Sequence, residues 1–322
     1  MGTYIVRRIL ISIPVLFGIT LLAFVALSLA PGDPLTSRID PDILARMSPA
    51  AIAAVRHSLG LDQPVPIRYL IWLGGLLHGD FGYAVVSHQR VADALAMSLP
   101  PTLLLMTAAL IVGVTMGVTF GIIAAVRRSG PIDYALTAFS TSFIAIPGFV
   151  VGLVLIYLFG AALKILPTTG MLTLGAPFSL TDLAGHLIMP VTLLALGLAA
   201  PLTRYTRASM LDVLEAEYVT TARSKGLRPR LVLLRHALRN ALIPIVTIVG
   251  LGLPDLVAGA VITETLFGWP GMGQLAVYAA SGRDPALMMG VILVVATGVL
   301  VSNLVVDILY GVVDPRVRLG GR

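Results

Sequence analysis

Long apolar runs alternate with polar segments along this chain. Six runs stand out, at residues 9–30, 103–126, 135–163, 187–203, 241–263 and 286–306. About 20 apolar residues in a helix cross the roughly 30 Å of bilayer hydrocarbon. A charge at mid-membrane costs on the order of 3 kcal/mol even on the mild insertion scale, so uncharged runs of this length mark spans. Five of the six hold no charged residue, and the run at 241–263 holds one, Asp255. The pattern predicts an all-α integral membrane protein with six transmembrane helices.

The segment between the first two runs, residues 31–101, is polar and mixed in sign, with five arginines and six aspartates. Periodic stretches at 49–59 and 67–77 make it a small extramembrane region of short helices. Orientation follows from the basic residues. With the N-terminus inside, fifteen arginines and lysines face the cytoplasm, while the short outer loops keep only Lys164 and Arg283. Both termini are therefore expected to be cytoplasmic. The expected organisation is a first transmembrane helix at 1–30, a periplasmic region at 31–101, a membrane core at 102–316 carrying a cytoplasmic loop at 206–240, and a cytoplasmic tail at 317–322.

Composition agrees with lipid as the solvent: 57% of residues are hydrophobic and 12% charged, against about 25% charged in soluble domains. The net charge of +6 does not call for nucleic acid, because the excess is juxtamembrane arginine. The first run is too long for a cleavable signal and ends in Pro31-Gly32-Asp33-Pro34, so it reads as a retained span. No cysteine is present, which excludes disulfides, thiolate nucleophiles and cysteine-bound zinc. Neither lysine follows a glycine, so a phosphate-binding loop is missing. The five histidines lack metal-ligand spacing and read as scattered surface residues. No serine sits in a nucleophile elbow. The sequence thus offers no catalytic or metal-binding residue and no cofactor of its own.

Gly113, Gly117 and Gly121 repeat at helical spacing, as do Gly148 and Gly152. Such ridges let helices approach closely in lipid, either within one subunit or across a subunit interface. Pro147, Pro190, Pro201 and Pro244 are positioned to kink or cap spans. Trp269, in the outer Gly268–Gly273 turn, reads as a headgroup-level residue.

The inner loop carries most of the information. It predicts one helix over 208–225, acidic early and basic late as a helix dipole favours. Gly226 then stops it. Pro229 opens a second helix over 230–239. A basic helical hairpin on the inner face serves either to dock a partner or to meet anionic lipid.

Residues 217–227 contain Tyr218-Val219-Thr220-Thr221-Ala222-Arg223-Ser224-Lys225-Gly226. This resembles the coupling-loop signature of ABC importer permeases, in the Tyr-Val-x-Thr-Ala-x-x-Lys-Gly form of the dipeptide/oligopeptide/nickel branch and its first permease. Of the general Glu-Ala-Ala-x-x-x-Gly pattern and its Ile-x-Leu-Pro extension, only Ala222, Gly226 and Leu238 match. Further segments resemble that branch in order: Pro31-Gly32-Asp33-Pro34, Leu59-Gly60-Leu61-Asp62-Gln63-Pro64, His78-Gly79-Asp80-Phe81-Gly82, Glu264-Thr265-Leu266-Phe267-Gly268-Trp269-Pro270-Gly271-Met272-Gly273 and Asp314-Pro315-Arg316.

The resemblance implies a type I ABC importer permease fold in the bacterial inner membrane. It implies a second homologous permease subunit, two cytoplasmic ATPase subunits carrying ATP and magnesium, and a periplasmic or lipid-anchored substrate-binding protein. Glu217, Tyr218, Thr221, Ala222, Lys225, Gly226 and Leu227 would then be docking positions, with Ala222 small so that its helix can sit close to the ATPase. Closure of the ATPases would switch the permease pair between inward- and outward-facing states. Asp255 either lines the translocation path or is an acid bonded to a neighbouring helix. The rival functions are a proton-coupled secondary transporter using Asp255 and a membrane scaffold whose inner loop is only a docking surface.

Overall fold

Helix formation follows the apolar runs, but the helices do not stop where the runs stop. The computed structural model describes residues 2–29, 41–58, 62–228 and 231–313. Among these the only extended pairing is an isolated antiparallel bridge, Tyr83 with Arg90. The Pro31–Pro34 and Asp314–Arg316 motifs, residues 59–61 and Pro229 lie outside the described residues, as does the side chain of Asp255.

The helices are α1 (Gly2–Leu29), α2 (Pro41–Arg46), α3 (Pro49–Ser58), α4 (Val65–Leu77), α5 (Val91–Val126), α6 (Pro131–Ala145), α7 (Gly148–Leu155, extended by a π-helical turn Ile156–Ala162), α8 (Leu180–Leu214), α9 (Glu217–Ser224), α10 (Leu238–Leu266, preceded by a π-helical turn Val232–Ala237), α11 (Met272–Ser281) and α12 (Pro285–Val313). Among the described residues, four helices are long and apolar enough to cross a membrane, and six spans result if each of two bent pairs counts as one.

The third run is not one straight helix. Ile146 precedes a proline and adopts an extended ψ of 126°, as the clash with a following proline ring dictates. Helices α6 and α7 meet there at 105°. A second bend, of 58°, separates Ile245–Pro254 from Gly259–Leu266 within α10. Elsewhere helices overrun the apolar window. α5 begins at Val91, twelve residues before the expected boundary, with Pro100 and Pro101 inside it. At 1.5 Å per residue it is about 54 Å long, more than a bilayer core requires.

The chain divides into two compact units. The first takes Met1–Ile5, Thr102–Pro270 and Val301–Arg322. Here the glycine ridge of α5 lies against α8. A β-carbon at Gly113 would stand 3.1 Å from Leu198, one at Gly117 2.8 Å from Leu202, and one at Gly121 2.4 Å from Thr206. Gly152 meets Leu266 and Leu193 in the same way. These ridges therefore serve packing within the subunit.

The second unit takes Val6–Pro101 and Gly271–Leu300. Its core joins Ala84, Val91 and Leu95 to Met272, Ala279, Leu287 and Val291. Asp284, 2% exposed, caps α12. Its carboxylate accepts from Leu287 N at 3.0 Å and from Val85 N, and Pro285 follows at the first helical position, where its missing N–H does no harm. Between α3 and α4, His57 Nδ1 lies 2.7 Å from Asp62 Oδ2. That hydrogen bond and the carboxylate charge hold the imidazole above its ordinary value.

Candidate functional site: an inner hairpin and an apolar groove

The inner loop folds differently from its sequence expectation. The helix predicted over 208–225 is two helices. α8 runs on to Leu214, and Glu215 and Ala216 interrupt it before α9 starts at Glu217. The predicted second helix is not separate: from Val232 it runs through the π-helical turn into α10.

α9 has two faces. Val219 is 0% and Ala222 6% exposed, and both pack with Val232, Val213 and Leu227. Glu217, Tyr218, Thr220, Thr221, Ser224 and Lys225 are exposed. Ala222 faces its own chain, and the exposed residues of α9 lie on the opposite side. One side-chain bond ties α9 to α10, and two more run along α9 and its end. Asn240 Nδ2 donates to Tyr218 Oη at 2.9 Å, Thr221 Oγ1 donates to the Glu217 carbonyl at 2.9 Å, and Lys225 N donates to the Thr221 carbonyl at 3.1 Å. Gly226 then turns the chain with φ +73°, and a β-carbon there would meet no atom within 4 Å. The constraint at Gly226 is the left-handed backbone, which costs other L-residues about 1–2 kcal/mol.

Next to the hairpin, two ion pairs tie the α5–α6 turn and the start of α6 to the end of α8. Arg207 donates twice to Asp133, Nε to Oδ1 at 2.6 Å and Nη2 to Oδ2 at 2.8 Å. Ser129 N donates to the same carboxylate at 2.9 Å. The Asp133 side chain is 4% exposed and that of Arg207 31%. A planar fork against a carboxylate is the strong form of such a pair. Arg128 also bonds Glu215, where α8 breaks. Neither pair was legible from spacing: Arg207 counts only as an inner positive charge, and Asp133 lies 74 positions away.

An apolar groove of about 910 Å³ opens in this unit. Its walls are Pro147, Gly148 and Phe149 at the α6–α7 bend, a face of α8 from Leu193 to Tyr205, and Ile248, Gly252, Leu256, Gly259 and Thr263 on α10. The bend at Pro147 is what places α7's first turn at the groove. Asp255 lies on α10 between the lining glycines Gly252 and Gly259.

Beyond the groove, the turn after α10 is fully packed. Trp269 is 0% exposed and sits among Leu105, Ala109, Val191 and Leu194, so its ring packs within the protein. Its backbone N–H bonds the Glu264 carbonyl at 2.8 Å, and Gly170 N bonds the Phe267 carbonyl at 2.8 Å. The Glu264 carboxyl is fully buried and accepts from Thr102 Oγ1 at 2.6 Å. The apolar window ended at 263, one residue short of this acid. His186 is 5% exposed, with Nδ1 2.9 Å from the Asp182 carbonyl, and is not the surface residue its isolation suggested.

Residues 117–319 match the family described as binding-protein-dependent transport system inner membrane component, and residues 1–106 match that family's N-terminal region. The oligopeptide transport system permease protein AppB of Bacillus subtilis is 44% identical over 319 residues, 99% of this chain and 100% of that one. A putative peptide permease protein of Brucella suis biovar 1 is 41% identical over 317 residues, 98% and 99% of the two chains. The glutathione transport system permease protein GsiC of Escherichia coli K12 is 37% identical over 318 residues, 99% of each. Among solved structures, a chain of the MetNI methionine ABC transporter in inward-facing form gives a TM-score of 0.58 at 16% identity, over 69% of this chain and 97% of that one. At that identity the likeness shows the fold alone, that of type I ABC importer permeases. Matched by the family along most of its length and by relatives along nearly all of it, the chain belongs to the inner membrane components of binding-protein-dependent transport systems and is a multi-pass inner-membrane protein.

Proposed function

We propose that this chain is a permease subunit of an ATP-driven importer for di- or oligopeptides, or for a related small ligand such as glutathione. The observation that carries the coupling role is the free polar face of α9, fixed by its buried Val219–Ala222 side and ended by the left-handed Gly226. The substrate class rests on what the relatives' names say of them. ATP and magnesium belong to two separate cytoplasmic ATPase subunits, whose closure moves α9. A second permease subunit completes the path, and a binding protein delivers the ligand from outside. Both termini face the cytoplasm, following the fifteen inner positive charges.

The groove between the α6–α7 bend, α8 and α10 is this chain's half of the translocation pathway. Its wall is mostly apolar, with Tyr205 and Thr263 as polar groups, so it passes varied side chains without binding any tightly. To Asp255, on the same helix as six of the wall residues, we assign the role of meeting a peptide amino group. Transport through a binding-protein-dependent system leaves no role for a scaffold alone or for a proton-driven carrier.

The test is a change on the free face of α9. Thr221→Arg and Lys225→Glu leave the buried side intact. Each is expected to weaken docking by about 2 kcal/mol, roughly thirtyfold in affinity, as a central interface residue does. Uptake into proteoliposomes should fall while the permease still inserts and folds. Unchanged uptake with both substitutions together would remove the docking assignment.

A further inference from the structure

Helix α4 was expected to lie in an aqueous outer region, but its contacts lie well inside the first span. Tyr69 is 2% exposed and Thr20 of α1 3%. Their hydroxyls are 2.9 Å apart. Tyr69 also meets Phe17 and Phe24 of α1 edge-on, each at 5.5 Å between ring centroids, and Trp72 lies 6.4 Å from Phe24. Phe17 and Phe24 precede the end of α1 at Leu29 by twelve and five residues. At 1.5 Å per residue that is about 8–18 Å below the helix end, a depth within the hydrocarbon of a bilayer with a core roughly 30 Å thick.

The opposite face of α4 is apolar and open. Ile67, Leu70, Ile71 and Leu77 are 44%, 61%, 62% and 80% exposed, and their spacing forms one helical stripe. In water this would be an unsupported apolar patch. The helix it packs on is open in the same way, with Leu10, Ile13 and Leu22 of α1 60%, 60% and 73% exposed. At 13 residues α4 covers only about 20 Å and cannot cross the membrane. Polar residues flank it on both sides, Asp62 and Gln63 before and His78 and Asp80 after. The guanidinium of Arg68 lies 5.9 Å from the centroid of the Phe24 ring, a contact that shelters a cation while its long stem reaches toward the headgroups.

We propose that α4 is a membrane-embedded half-helix, seated in the hydrocarbon against the C-terminal half of α1, with its Ile67–Leu77 stripe covered by lipid acyl chains. The occupant is lipid because α4 packs on α1, a helix long and apolar enough to span the membrane and almost unburied by the rest of the chain. The hydroxyl pair of Tyr69 and Thr20 lets two polar side chains sit at that depth without an unmet hydrogen bond.

The chain has no cysteine, so single spin labels can be placed cleanly. Leu70→Cys and Ile71→Cys, with Leu22→Cys as the lipid reference and Gln89→Cys as the water reference, are labelled in the complete transporter in phosphatidylcholine–phosphatidylglycerol proteoliposomes. Collision with oxygen and with a water-soluble nickel chelate is then measured. The expected result is oxygen access at positions 70 and 71 like that at 22, with nickel access about tenfold below that at 89. Nickel access equal to that at 89 puts α4 in water and overturns the proposal. Shielding from both reagents means that protein covers the stripe and overturns it equally. Labels at two positions guard against a local distortion at either one.

Discussion

Gly121→Leu is expected to leave almost no folded protein in the membrane. The β-carbon alone would stand 2.4 Å from Thr206 Cβ and 2.8 Å from the Thr203 carbonyl oxygen. The carbonyl is helix backbone and cannot rotate away. Thr203 and Thr206 are 1% and 0% exposed, so no free space exists to receive them. Overpacking by a few methylenes costs about 1–3 kcal/mol when side chains can adjust. Here the backbones of α5 and α8 must separate, and the cost exceeds that range, out of a total stability of roughly 5–15 kcal/mol. Gly18→Leu is the control, because nothing lies within 4 Å of its β-carbon position. Thermal unfolding of the purified proteins in detergent should show Gly18→Leu near the parent and Gly121→Leu strongly lowered. Equal stability of the two would mean that α5 and α8 do not meet along the glycine ridge.

Asp133→Ala should destabilise the inner end of the first unit by about 3–5 kcal/mol, the usual effect of removing one partner from a buried pair. The lower end applies, since the Arg207 side chain is 31% exposed and water takes up part of its charge. The substitution also leaves Ser129 N without its acceptor. Arg207→Lys is predicted to lose much of the stabilisation despite keeping the charge, because an ammonium cannot reproduce two parallel bonds. Joining Asp133→Ala with Arg207→Ala should cost less than the sum of the two single changes, by about 2 kcal/mol or more. Chemical denaturation of the four proteins gives that coupling directly. Strict additivity would show that the pair adds no stability.

How much of this was legible in the sequence depends on which physics wrote it. The spans were legible because hydrocarbon excludes charge, so uncharged runs have to be membrane. Helix ends were not, because the membrane surface does not stop a helix. α8 carries Arg204 and Arg207 and continues to Leu214, and α5 starts at Val91. Gly226 was legible because a left-handed turn after a helix has a residue signature. The inward turn of Ala222 was not: a small residue fits equally under a partner or under its own chain, and Val232 lies ten positions on, beyond the glycine turn. Pro147 marked a break, but its 105° angle depends on neighbours. The burial of Glu264 and Trp269 was not legible, because their partners, Thr102 and Leu105, sit some 160 positions away. In α4 the apolar period was visible, but only its contact with Phe17, Thr20 and Phe24 shows how deep it lies.

The coupling role of this chain rests on what touches the exposed face of α9. A single cysteine at Thr221, in the otherwise cysteine-free chain, can be cross-linked by short bifunctional reagents in the assembled transporter. The expected result is a bond to a cytoplasmic ATPase subunit whose yield changes when ATP is added, while a cysteine at the buried Val219 yields none. If Thr221 instead links to no ATPase in a particle that still transports, or reacts only with reagents supplied from outside the membrane, the coupling role of this hairpin is contradicted.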